Sequence, residues 1–126
     1  MAKKKILIID DEASFTKMVK LNLEENRIYD VRIENDGKRS LSAAESFRPD
    51  LILLDIMMPK TDGFEVLKTL KNNEKTMNIP VIMLTALSTE QAKLKAVQMY
   101  CEDYVSKPIS TKELTARMEE VLGRSK

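Results

Sequence analysis

Residues 51–55 read Leu-Ile-Leu-Leu-Asp, four apolar residues in a row stopped by a carboxylate. A run this short and this uniformly apolar suits a β-strand covered on both faces, as a central strand of a parallel sheet is. The same form recurs at residues 6–9, stopped by Asp10 and Asp11, and at residues 81–84, stopped by Thr85. Residues 29–33 form a weaker run in which Val31 and Ile33 alternate with Arg32 and Glu34, which suits an edge strand; residues 104–105, just before Lys107, supply a fifth. Longer segments with helical spacing separate the runs. Phe15, Met18, Val19 and Leu23 share a face of the first, with Asn22 as a polar blemish; Leu41, Ala44 and Phe47 mark the second, and Phe64, Val66, Leu67 and Leu70 the third. Leu94, Val97 and Cys101 mark the fourth, with Ser88 and Gln91 at capping-box spacing, and Leu114, Met118, Val121 and Leu122 mark the fifth. The fifth begins with a second capping box, Ser110 and Glu113, and a hydrophobic staple of Ile109 and Leu114. Five strand–helix units predict an α/β sandwich of three layers, because parallel strands need such crossovers.

The chain has 126 residues, enough for one domain spanning 1–126 with a core over about 4–123. The basic ends, Lys3 to Lys5 and Arg124 to Lys126, are expected to be solvated. Composition removes several chemistries. With no histidine there is no Ser-His or Cys-His nucleophile and no His-ligated zinc. Three separated glycines, Gly37, Gly63 and Gly123, build neither a phosphate-cradling loop nor a dinucleotide turn. A net charge of +1 with interleaved signs and no tryptophan argues against nucleic-acid binding by this segment. No apolar run approaches a membrane span, the basic start lacks a cleavage site, and Cys101 stands alone, so a cytoplasmic protein without a disulfide is expected.

In such a fold, ligands bind beyond the carboxyl ends of the strands. There the sequence delivers Asp10 and Asp11, Asp55, Thr85 and Lys107 to one rim. Each has a plain structural reading by itself: helix capping for the Asp pair, strand-ending turns for Asp55 and Thr85, a solvated turn for Lys107. Those separate readings leave the gathering on one edge unexplained. Two carboxylates about 4 Å apart repel by about 4 kcal/mol at an effective dielectric near 20, so three of them call for a cation. All-oxygen ligands with room for water and phosphate suit Mg²⁺. A lysine opposite the metal prepares the pocket for a phosphoryl group, and with no histidine the acceptor is a carboxylate.

Four segments, Ile6-Leu-Ile-Ile-Asp-Asp-Glu12, Leu53-Leu-Asp-Ile-Met-Met-Pro59 with Asp62-Gly-Phe-Glu65, Pro80-Val-Ile-Met-Leu-Thr-Ala86 and Asp103-Tyr-Val-Ser-Lys-Pro108, resemble the receiver domains of two-component response regulators, CheY-like proteins. The resemblance covers essentially the whole chain. It implies a flavodoxin-like sheet of order 2-1-3-4-5. It implies that Asp55 accepts a phosphoryl group from a phosphohistidine of a sensor histidine kinase or histidine phosphotransfer protein. Asp11 and Asp55 would then bind Mg²⁺ directly, Asp10 through water, and the Met57 backbone carbonyl as a further ligand. Lys107, held by a cis bond to Pro108, would pair with the phosphoryl oxygens. Thr85 would move to the phosphoryl group and Tyr104 would turn inward behind it. That switch would alter the surface of the fourth helix, fifth strand and fifth helix, where a downstream protein target binds.

Three features add expectations. The family often carries Gly-Ala where this chain has Tyr100 and Cys101, which predicts altered geometry after the fourth helix and an inert Cys101. Met57 and Leu87, two residues beyond Asp55 and Thr85, are apolar, which predicts slow self-hydrolysis of the phosphoprotein. Met58 reads as core filler, and Gly63 as a backbone-permissive residue without chemistry. The absence of a linker after Leu122 favours a stand-alone protein over a receiver cut from a larger regulator. Other readings are a Mg²⁺-dependent phosphohydrolase with an aspartate nucleophile and a receiver-like scaffold that is never phosphorylated. Against the first stand Met57, where those enzymes place a second Asp, and the lack of a cap insertion; against the second stands the complete set of five polar side chains.

Overall fold

The computed structural model describes residues 2–124. Met1, Ser125 and Lys126 lie outside the described residues, and with them the last two positions of the expected solvated tail. In chain order the elements are β1 (Lys4–Ile9), α1 (Ala13–Glu24), β2 (Tyr29–Glu34), a 3₁₀ turn (Gly37–Arg39), α2 (Ser40–Phe47), β3 (Leu51–Leu54), β4 (Met57–Met58), β5 (Thr61–Asp62), α3 (Gly63–Lys71), β6 (Val81–Thr85), α4 (Glu90–Gln98), β7 (Asp103–Ser106) and α5 (Thr111–Arg124). The five long strands pair in parallel in the order β2-β1-β3-β6-β7. With the two-residue β4–β5 ribbon set aside, this is the flavodoxin-like order 2-1-3-4-5.

Strand alternation splits the apolar runs between two cores, which is why those runs have no polar positions. Ile6, Ile8, Leu51, Leu53, Ile82 and Leu84 face α1 and α5, while Leu7, Ile9, Ile52, Leu54, Val81 and Met83 face α2, α3 and α4. The weaker run is indeed an edge strand, with Val31 buried and Arg32 exposed. At the start of α5 the expected cap forms: the Glu113 amide donates to Ser110 Oγ at 3.1 Å, and the Ser110 hydroxyl donates to the Glu113 carboxylate at 3.2 Å. Ile109 and Leu114 belong to the same core.

Several local expectations fail, each for a visible reason. Met18 points outward, 51% exposed, because α1 buries Thr16, Val19 and Leu23. On α4 the sequence carries two apolar stripes, and the smaller residues take the inside: Ala92 and Ala96 are buried while Leu94 and Val97 are 58% and 60% exposed. Cys101 lies beyond the helix end, half-buried. The α4 N-cap is Thr89, not Ser88; its hydroxyl accepts the Ala92 amide. The turn after α4 is also ordinary. Tyr100 adopts φ 68°, the Cys101 amide donates to Ala96 O at 3.1 Å and the Tyr100 amide to Val97 O at 3.0 Å. That is a Schellman cap of the kind glycine usually makes, so the expectation of altered geometry falls.

Candidate functional site

The carboxylate-bearing loops are set by strand pairing. Asp10 follows β1 and Asp55 follows β3, and the Asp55 amide donates to Ile9 O at 3.0 Å, so the two residues leave adjacent strands side by side. One carboxylate oxygen from each of Asp10, Asp11 and Asp55 lies within 4.8 Å of the other two. Asp10 is 2% exposed, Asp55 is 4% exposed, and Asp11 is half-buried. The Asp10 backbone is pinned from the side: Asn35 Nδ2 donates to Asp10 O at 2.7 Å and to the Thr16 hydroxyl oxygen at 3.1 Å. Burial holds the Asp10 carboxyl above the usual range, against the pull of the Lys107 ammonium and the Glu12 amide, and the Asp55 charge adds to the rise.

Lys107, which directly follows β7 and is joined to Pro108 by a cis bond, reaches this cluster. Its amide donates to Thr85 O at 2.8 Å, which fixes the loop to β6. Its Nζ lies 2.7 Å from Asp10 Oδ2, 3.2 Å from Glu12 Oε1 and 3.8 Å from Asp55 Oδ2. The Phe15 ring sits beneath the ammonium, 4.1 Å from Nζ to its centroid. Burial works to lower the Lys107 pKa, yet the hydrogen bond to Asp10 and the charges of Asp10 and Asp55 outweigh it and hold the pKa above the ordinary value. One ammonium against this set of carboxylates leaves the pocket negative. The donor atoms are hard oxygens, without thiolate or imidazole, so the residues present fit a small hard divalent cation.

Around the cluster stand the other residues singled out from the sequence. Thr85 is fully buried, and its hydroxyl oxygen accepts the Leu87 amide at 3.3 Å. Tyr104 is half-buried against the α3 and α4 core, and its hydroxyl donates to Leu87 O. Leu87 therefore joins Thr85 and Tyr104 through its two backbone groups, while its side chain packs on the core. Met57 is 61% exposed; its amide faces Asp55 Oδ1 at 3.4 Å, and it lines a groove of about 830 Å³ with Asp11, Glu12, Phe64 and Lys95. Met58 is buried filler as expected. Gly63 is needed for a different reason than backbone freedom, since its φ is not positive: a Cβ there would lie 2.2 Å from Asp55 O and 2.4 Å from Ile56 Cα. Burial beside Glu102 and Asp103 pushes the Cys101 thiol up to about 11, as an inert cysteine requires. The sequence reading passed over Glu12, Phe15 and Asn35 as site residues. Glu12 was within sight, directly after the carboxylate pair; the others are brought in only by the fold.

Residues 6–119 match the family described as the response regulator receiver domain. The chain belongs to that family. It is a receiver domain of two-component systems, close to regulators of the PhoB and PhoP type. The chain is 43% identical over 122 residues to the alkaline phosphatase synthesis transcriptional regulatory protein PhoP of Bacillus subtilis, covering 97% of this chain and 50% of that protein. It is 41% identical over 125 residues to the phosphate regulon transcriptional regulatory protein PhoB of Pseudomonas aeruginosa, covering 99% and 54%. The receiver thus spans about half the length of these curated relatives. Among solved structures, a CheY-like receiver domain protein from Methanospirillum hungatei superposes with TM-score 0.90 at 25% identity over 98% of this chain and 97% of that one. The BeF3-activated N-terminal receiver domain of RstA from Klebsiella pneumoniae gives 0.86 at 28% identity, over 94% and 98%. Receiver domains of transcriptional regulators are generally not catalytic enzymes, they imply a phosphodonor partner, and they generally bind Mg²⁺ at an acidic pocket. No helix among the described residues is long and apolar enough to cross a membrane.

Proposed function

We propose that this receiver is a phosphorylation switch whose acceptor is Asp55. One observation carries the reading: a buried Asp55 stands in a cluster of three carboxylates within 4.8 Å, with the Lys107 ammonium 3.8 Å away. A donor phosphohistidine on a sensor histidine kinase or histidine phosphotransfer protein enters the pocket, and an Asp55 carboxylate oxygen attacks phosphorus. The P–N bond breaks, the imidazole nitrogen keeps the electron pair, and an aspartyl phosphate remains. Asp11, Asp55, Asp10 and the Met57 carbonyl would hold a Mg²⁺ ion here, which when bound would supply charge neutralisation for the transfer. Lys107 holds the arriving phosphoryl oxygens, and Thr85 donates its hydroxyl to them.

Moving the Thr85 hydroxyl removes the acceptor of the Leu87 amide, and Tyr104, bonded to the other side of Leu87, turns inward. The outcome is a changed surface on α4, β7 and α5 for a downstream protein target. The chain performs no turnover beyond its own phosphorylation and a hydrolysis slowed by apolar Met57 and Leu87. Residues 1–126 act as one such unit, and DNA contact in regulators of this kind is left to segments other than this one.

The test is incubation with acetyl phosphate and Mg²⁺, followed by intact mass and peptide mapping. A phosphate on Asp55, absent from Asp55→Asn and from metal-free samples, is the expected result; no Mg²⁺-dependent adduct at Asp55 overturns the proposal. Thr85→Ala should still be modified but should lose the accompanying amide shifts in α4 and β7, whereas Lys107→Ala should impair both.

A further inference from the structure

Lys107 carries one charge and three carboxylates compete for it. Their distances from Nζ are 2.7 Å for Asp10, 3.2 Å for Glu12 and 3.8 Å for Asp55, so the acceptor is the most distant of the three. The ammonium is drawn to one side of the pocket, above the Phe15 ring and between Asp10 and Glu12. An anion arriving at Asp55 needs that ammonium, and gaining it means weakening one of the two shorter contacts.

The two are not equally easy to weaken. The Asp10 side chain is 2% exposed, and its other oxygen accepts the Glu12 amide at 3.0 Å. Stripping its cation would leave a buried charge unpaired, which is costly. The Glu12 side chain is 60% exposed, stands at the mouth of the groove beside Asp11 and Met57, and can return to water at little cost. Building on the proposed function, we infer that Glu12 is a positioning residue. Its carboxylate parks Lys107 away from Asp55 in the resting protein and competes with an incoming phosphoryl group for the ammonium. Glu12 thereby sets how readily the pocket accepts an anion, without touching the acceptor.

The test uses the whole chain with beryllofluoride at saturating Mg²⁺, titrated by amide shifts. Glu12→Gln keeps the shape and removes the charge; it should tighten beryllofluoride two- to five-fold, and Glu12→Ala should do the same. The gain should shrink toward none at high ionic strength, where an exposed charge is screened and a purely steric effect would persist. Glu45→Gln, a half-buried glutamate of α2 outside the groove, should match the wild type. In the metal-free protein the Lys107 side-chain resonances should move in Glu12→Gln, a readout that needs neither metal nor anion. Unchanged or weaker beryllofluoride binding in both Glu12 variants, or a gain indifferent to salt, overturns this inference alone. A wild-type protein that binds no beryllofluoride overturns the proposed function beneath it.

Discussion

A single missing methyl group shapes the acceptor loop. The Cβ that Gly63 lacks would sit 2.2 Å from the carbonyl oxygen of Asp55 and 2.9 Å from its carbonyl carbon, both main-chain atoms that cannot swing aside. Gly63→Ala should cost about 1–3 kcal/mol, as overpacking does, and should weaken Mg²⁺ binding by displacing the Asp55 backbone. Urea unfolding and a metal titration check the two effects. At Tyr100 the opposite change should help. A left-handed conformation is strained for any residue with a Cβ, so Tyr100→Gly should gain roughly 0.5–1 kcal/mol after the extra freedom of the unfolded glycine is subtracted, read as a rise in Tm. Position relative to strand ends made Asp10, Asp11, Asp55, Thr85 and Lys107 legible in the sequence, since a polar residue that stops an apolar run must lie at the rim. The steric demand at Gly63 was not legible, because it depends on how closely α3 approaches the loop after β3.

Elements are coupled by ion pairs whose worth differs with burial. Asp103 at the start of β7 holds Arg117 of α5 through two contacts, Nε at 2.7 Å and Nη2 at 2.6 Å. Burial works to raise the Asp103 pKa, but the Arg117 hydrogen bonds and charge outweigh it, and the carboxyl is held below its usual range. A depressed folded pKa contributes stability above the unfolded value near 3.9 and loses it as pH falls through the folded one. Because the Arg117 side chain is 44% exposed, solvent screening limits the pair to about 1 kcal/mol. Asp103→Asn should therefore lower stability by about that amount at pH 7 and leave it nearly unchanged near pH 2, measured by chemical denaturation at both values. Strand positions were legible because burial on both faces leaves an unbroken apolar run. The β4–β5 ribbon was not, since two residues carry no period, and the inward face of α4 was misread because two stripes of different size share one helix.

At the scale of the molecule, the crowded carboxylates of the acidic rim oppose folding unless a cation neutralises them. Asp11→Asn removes one of three crowded like charges and should raise the stability of the metal-free protein, while cancelling most of the gain that Mg²⁺ gives the wild type. For the wild type, Mg²⁺ at ten times its Kd should add about 1.4 kcal/mol, and thermal shifts with and without the metal test both statements. The alternation of runs made the three-layer architecture legible, whereas the order of strands came from resemblance, because apolar patterning alone does not say which strand neighbours which. Helices on one face of the sheet are also unequally fastened. Helix α3 buries Phe64, Val66, Leu67 and Leu70, whereas α4 buries Ala92 and Ala96 alone. With so little apolar area to expose on leaving, α4 should be where the molecule breathes: its amides should exchange with solvent deuterium well before those of α3, although both helices cover the same layer.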